Sequence, residues 1–252
     1  MAHFVITYDS AVMRRSETVS VFVPDCAADG ASSIKTVLLL HGIADDHTAW
    51  SSLTSVEEYA AERKIALIMP SVGRSWYTDT ASGENYFTFV SDELPRVIRG
   101  FFPQLSQDRK DTFAAGLSMG GYGAAKIALS RPDVFSGFAS LSGALSFAHR
   151  DIDVTDEHRS IFGDIEKLSD LMGTKLDPFR LAADFAADHP GYAFPKAYIT
   201  CGTEDRLIRE SRDFANLLES QGIGFAYEET SGTHTWEVWN KSIRPALDYL
   251  LK

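Results

Sequence analysis

The sequence predicts an α/β fold, a mostly parallel central sheet with helices on both faces. Three observations predict it. Short, nearly continuous apolar runs such as Lys35–Leu40 and Ile65–Met69 have the pattern of strands buried on both faces. From residue 35 onward such runs alternate with stretches of helical length. At 252 residues the chain is long enough to bury a large core without disulfides or a structural metal.

Taken in order, 3–8 (HFVITY) and 18–23 (TVSVFV) are β-branched and aromatic runs that predict an antiparallel pair. Pro24 to Ser33 is a turn-rich break before the buried strand at 35–40. A helix is predicted over 51–63, a strand over 65–69, and a helix from Glu84 to Phe102 that Pro95 should kink or split. Thr112–Ala115 predicts a short strand, followed by Gly116-Leu117-Ser118-Met119-Gly120-Gly121 and a helix to about Arg131. Further strands are expected at 134–141, 196–201 and 223–229, with helices at 207–221 and 236–251. Between Ser146 and Pro195 the rhythm breaks, leaving only short helical pieces at Ile165–Met172 and Pro178–Asp188. The expected organisation is one domain, 1–252, with 146–195 a lid- or cap-like insertion over the sheet's C-terminal edge.

Composition narrows the function. The net charge of −11 and the lack of a basic stripe argue against a nucleic-acid partner or an anionic membrane surface. No apolar run approaches the roughly 18 residues of a membrane-spanning helix, and the N-terminal MAHFVITYDSAVMRRSETVSV is not expected to act as a signal peptide. The two cysteines, Cys26 and Cys201, form no CxxC pattern, which suits a reducing compartment; a cytoplasmic protein is expected. HExxH, GxGxxG and Walker patterns are absent and the histidines show no ligand spacing, so no metal and no cofactor are expected. Exposed edge strands near the N-terminus leave a homo-oligomer open.

The chemistry centres on Gly116-Leu117-Ser118-Met119-Gly120, set between a short strand and a helix. A serine on so sharp a turn needs small neighbours, and the following helix presents its positive end to developing negative charge. A serine hydroxyl also needs a base. His234, in the turn before the last helix, is placed for that role, and Asp205, at the end of strand 196–201, would orient it. Glu204 is the competing carboxylate, less well placed on the strand turn. Backbone N–H groups of Met119 and of Ile43, in the loop His41-Gly42-Ile43-Ala44, are the candidate oxyanion donors. His41 is read as structural. Trp50, Trp76 and Tyr77, with Tyr86 and Phe87, are candidates for lining a substrate pocket, although each could equally belong to the core.

These segments resemble the esterase D / putative esterase family of α/β-hydrolases. VLLLHGIADDHTAW (37–50), WYTDT (76–80), AAGLSMGGYGAAKIAL (114–129), CGTEDRLI (201–208) and TSGTHTWEVWNKSI (230–243) carry the resemblance in family order over most of the chain. The GLSMGGYGAAK wording is most similar to tributyrin-esterase-like small carboxylesterases. The resemblance implies the α/β-hydrolase fold, a triad of Ser118, Asp205 and His234, oxyanion donors at Ile43 and Met119, no cofactor, and short-chain acyl esters as substrates. Asp45-Asp46, just beyond the oxyanion loop, depart from the small neutral residues expected there. The expected function is a serine carboxylesterase acting on a small-molecule ester. An acyltransferase, an S-formylglutathione hydrolase-like thioesterase, and a non-catalytic binding protein of the same fold are the alternatives.

Overall fold

The central strands are apolar on both faces because they separate two cores. Along β3 (Thr36–Leu40), Leu38 and Leu40 enter one cluster of buried residues while Val37 and Leu39 enter the other. This period-2 partition is what a doubly covered strand requires, and each fully buried Leu or Val contributes roughly 1.5–3 kcal/mol. The computed structural model describes residues 1–30 and 32–252, so Ala31, within the turn-rich break, lies outside the described residues.

β1 (Ala2–Ser10) and β2 (Arg15–Val23) pair antiparallel in unbroken register from Ala2↔Val23 to Ser10↔Arg15. After β3 come α1 (Ala49–Leu53), α2 (Val56–Glu62) and β4 (Ala66–Pro70). The single helix expected over 51–63 is therefore two. Thr54 is extended between them, and the Ser55 N–H is taken by the Asn240 side chain at 2.9 Å. The next helix starts at Tyr86 rather than Glu84: α3 (Tyr86–Thr88) runs through a π-helical turn (Phe89–Glu93) into α4 (Leu94–Phe101). The π turn lies just ahead of Pro95, which lacks the N–H an ordinary turn would use. It also carries buried Glu93 towards the β1–β2 turn, where the carboxylate accepts from the backbone of Ala11 and Val12.

β5 (Thr112–Leu117), α5 (Met119–Ser130) and β6 (Gly137–Leu141) follow. The segment 146–195 holds α6 (Asp156–Phe162), α7 (Pro178–Ala183) and α8 (Phe185–Asp188), with a 3-10 turn at Leu168–Leu171 where a helical piece was expected. α6 was not anticipated; its Thr155 capping box is short and sits among charged residues. β7 (Lys196–Gly202), α9 (Ile208–Ser220), β8 (Phe225–Thr230) and α10 (Trp236–Leu251) complete the chain. One face of the sheet is covered by α4, α5 and α9, the other by α2 and α10.

The described strands form one sheet in the order β1-β2-β4-β3-β5-β6-β7-β8, parallel from β4 through β8. From β3 the chain steps to β4 on one side, and β5 then returns to the other. The loops after β3 and β5 therefore diverge, leaving a crevice at the strands' C-terminal ends. Both the 41–44 loop and Ser118 open into it. Among the described residues no helix is long and apolar enough to cross a membrane.

Candidate active site

Ser118 occupies the single residue between β5 and α5, with φ 53° and ψ −118°. A non-glycine residue in that region is strained by about 1–3 kcal/mol, so its surroundings must hold it there. They do so through the backbone. Ser118 N–H donates to Leu141 O at 2.9 Å, and its carbonyl accepts from Tyr122 and Ala144, both at 3.1 Å. The flanking glycines are required by contact. A methyl group on Gly116 would collide with the Gly120 backbone, and one on Gly120 with the Leu40 carbonyl.

The loops after β7 and β8 converge on this serine. His234 Nε2 lies 2.9 Å from Ser118 Oγ, and His234 Nδ1 lies 2.8 Å from Asp205 Oδ2. Burial alone would raise the Asp205 carboxyl. Hydrogen bonds from His234, the Leu207 N–H and Ser142 outweigh it and hold the group below the ordinary carboxylate range. An ionised Asp205 accepts from Nδ1–H, which leaves Nε2 bare to receive the serine proton. Glu204 turns elsewhere: its carboxylate binds the Thr203 hydroxyl and the Gly232 N–H, pinning the loop that carries His234. The imidazole also stands edge-on to Trp239, at 4.8 Å between ring centres.

The 41–44 loop is braced from below. His41 is buried; Nδ1–H donates to Gly42 O at 2.6 Å, and Nε2 accepts the Val72 N–H at 3.1 Å. Since Val72 can only donate, His41 is neutral and protonated on Nδ1, in agreement with a pKa lowered first of all by burial. The Tyr77 hydroxyl donates to the His41 carbonyl at 2.9 Å, and Trp50 Nε1–H to the Leu40 carbonyl at 3.0 Å. Neither the Ile43 nor the Met119 N–H is among the backbone donors bonded elsewhere in the described residues. Neither donor is therefore committed to a backbone acceptor there.

This arrangement has close counterparts. The family profile described as Putative esterase matches residues 10–250. An acetyl esterase of Caldicellulosiruptor saccharolyticus is 32% identical over 270 aligned residues, covering 100% of this chain and 99% of the relative. Among solved structures, the fluorophosphonate-binding serine hydrolase FphF of Staphylococcus aureus superposes with a TM-score of 0.90 at 31% identity, covering 100% of this chain and 98% of its own. The S-formylglutathione hydrolase FrmB of the same organism gives 0.87 at 32%, covering 100% and 99%.

The chain belongs to the esterase family. It has the α/β-hydrolase fold and is a serine esterase, a carboxylic ester hydrolase.

In front of Ser118 the esterase has a recess of about 380 Å³ whose walls include Ile43, Asp45, Leu117, Arg206, Trp236 and Trp239. None of the three aromatics singled out in the sequence lines this recess. Trp50 and Tyr77 are the loop braces just described, and Trp76 is stacked on Phe147 with ring centres 3.7 Å apart. Tyr86 pairs with Arg15, and Phe87 faces a different recess beside α5. Sequence reasoning passed over Trp236, Trp239 and Arg206. The available signal was position: each lies within five residues of His234 or next to Asp205, so each had to share the crevice. No residue of 146–195 lines this recess. That segment packs instead against the 74–82 loop, through Phe147 on Trp76 and the Ile161 carbonyl on the Ala81 N–H. Among the described residues, no group of three or more His, Cys, Asp or Glu side chains is placed to hold a metal ion.

Proposed function

We propose that the esterase cleaves short-chain acyl esters through a Ser118 acyl-enzyme. The observation that carries this reading is the hydrogen-bonded chain Ser118–His234–Asp205, at 2.9 and 2.8 Å. As Ser118 Oγ attacks the ester carbonyl, its proton passes to His234 Nε2, and Asp205 stabilises the imidazolium. The carbonyl oxygen becomes an oxyanion facing the N–H groups of Ile43 and Met119. Collapse breaks the bond to the alcohol, which leaves with the proton from His234. Water then repeats the sequence on the acyl-enzyme, releasing the carboxylic acid and restoring Ser118.

A small acyl group suits the recess, whose lining includes Leu117 and the aromatic rings of Trp236 and Trp239. Short-chain preference also follows the likeness to an acetyl esterase. We further read 1–252 as one domain in which the cap-like 146–195 segment steadies the Trp76–Tyr77 turn. Free Cys26 and Cys201 suit a cytoplasmic setting. Thioester cleavage is the second reading, favoured by the likeness to FrmB across the whole chain; the same serine attacks either carbonyl.

The test is hydrolysis of p-nitrophenyl esters from acetate to octanoate by wild type and Ser118→Ala, with fluorophosphonate labelling of both. Rates that peak between acetate and butyrate, and vanish with labelling in the variant, are expected. Full turnover by Ser118→Ala would sink the nucleophile assignment, and a peak at octanoate the short-chain reading. S-formylglutathione turned over far faster than any oxygen ester would favour the thioesterase.

A further inference from the structure

Lys126 lies two turns into α5, fully buried, and takes no part in the ester chemistry. Its ammonium donates to the Trp76 carbonyl at 3.0 Å and to Thr78 Oγ1 at 2.6 Å. The rings of Tyr122 and Phe87 face it at 5.0 and 5.6 Å from their centres. Both acceptors are neutral oxygens and, among the described residues, no carboxylate comes within ion-pair distance of it, although an unpaired buried charge is costly. Beside it is a partly enclosed recess of about 70 Å³ lined by Thr78, Asp79, Phe87, Lys126, Lys175 and Leu176. Lys175 is a second cation on that recess and, among the described residues, has no ion-pair partner. Asp79 is the one acid there, and both its oxygens are already bound by Thr88, through the N–H at 2.9 Å and the hydroxyl at 2.7 Å.

Two lysines therefore line one small space, with a single, already occupied carboxylate among its lining residues. With Lys126 protonated, two positive charges stand there against one negative. A water needs about 10–15 Å³ of such space, so the recess has room for an ion the size of chloride or acetate. We propose that the recess between Lys126 and Lys175 is a binding site for a small monovalent anion, a halide or a short carboxylate. A lysine serving only to tie Trp76 and Thr78 to α5 would need neither the cavity nor the second cation.

The site predicts its own proton linkage. Burial, above all, brings Lys126 down to about 7, with Asp79 raising it and Lys175 lowering it. An anion favours the charged form, so binding takes up a proton and weakens as pH rises through 7. With Lys126 nine-tenths charged at pH 6 and one-tenth charged at pH 8, affinity falls about tenfold between them. At pH 8 binding takes up close to one proton.

The experiment measures the melting temperature against sodium acetate, sodium formate and sodium chloride at constant ionic strength. Sodium gluconate, a much bulkier carboxylate, makes up the balance. Saturable stabilisation by the small anions is expected, with about tenfold more needed at pH 8 than at pH 6. Lys175→Gln, an exposed change, should raise the required concentration about tenfold, and Lys126→Met should abolish the effect. Calorimetry of acetate binding at pH 8 in two buffers of different ionisation enthalpy should show proton uptake. If Lys126→Met does not fold, Lys175→Gln still decides. Equal responses to acetate and gluconate, an unchanged response in Lys175→Gln, or no proton uptake would each overturn the proposal.

Discussion

Acid should weaken this protein through His41. His41 is buried and neutral, held between the Gly42 carbonyl and the Val72 N–H, and burial lowers its pKa from 6.5. Protonation of Nε2 would leave two donors facing each other at 3.1 Å. The unfolded chain therefore binds a proton that the folded chain refuses. With the folded pKa below the unfolded one for a base, stability is complete above about pH 6.5 and falls as pH drops below it. The loss at pH 5.5 relative to pH 8 is at most RT ln 11, about 1.4 kcal/mol, the limit in which His41 stays neutral throughout. The assay is urea unfolding of wild type and His41→Gln at pH 8, 6.5 and 5.5. Glutamine can still accept from Val72 but cannot titrate. The variant should be less stable at pH 8, by about 1–3 kcal/mol, and the two stabilities should converge towards pH 5.5, by at most about 1.4 kcal/mol. His47 and His158, also lowered chiefly by burial, are present in both proteins and cancel in the difference. Curves that stay parallel from pH 8 to 5.5 would refute the assignment of the proton to His41.

Three further predictions follow from the same contacts. Asp205→Asn keeps the shape of the site but cannot hold the imidazole in the same tautomer, so kcat should fall about 10⁴-fold with KM for a p-nitrophenyl ester little changed. A loss below tenfold would mean that Asp205 does not orient the base. Tyr77→Phe removes the donor to the buried His41 carbonyl and should cost about 1–3 kcal/mol in urea unfolding; a cost near zero would show that the loop does not depend on this brace. Asp45 lines the recess beside Gly42, so Asp45→Asn should raise kcat/KM for an ester with an anionic alcohol about tenfold relative to a neutral one. An unchanged ratio would show that this carboxylate does not sense substrate charge.

Much of the fold was legible because it rests on short-range pattern. Strands such as 36–40 and 66–70 announce themselves by continuous apolar runs, since a doubly covered strand has no polar face. The break at Thr54 and the π turn ahead of Pro95 were less legible. The first depends on a bond from Asn240, far along the chain, and the second on where Glu93 must point. The helices of 146–195 were obscured by charges on short segments whose packing partners, the 74–82 loop and α5, lie elsewhere in sequence.

By itself the sequence determined which residue types the chemistry uses and in what chain order. A serine between small residues at a strand-to-helix turn, an acid after β7 and a histidine after β8 are local features, tied to strand ends that all open on one edge. Only the tertiary structure decided which neighbour does what. Asp205 rather than Glu204 reaches His234, Trp50 and Tyr77 support backbone carbonyls, and Trp236 and Trp239 form the wall. The reason is physical: an aromatic run on a loop has the same pattern whether its rings face a cavity or a core. Which way they turn is set by what packs against them, and those partners come from strands and helices up to a hundred residues or more away.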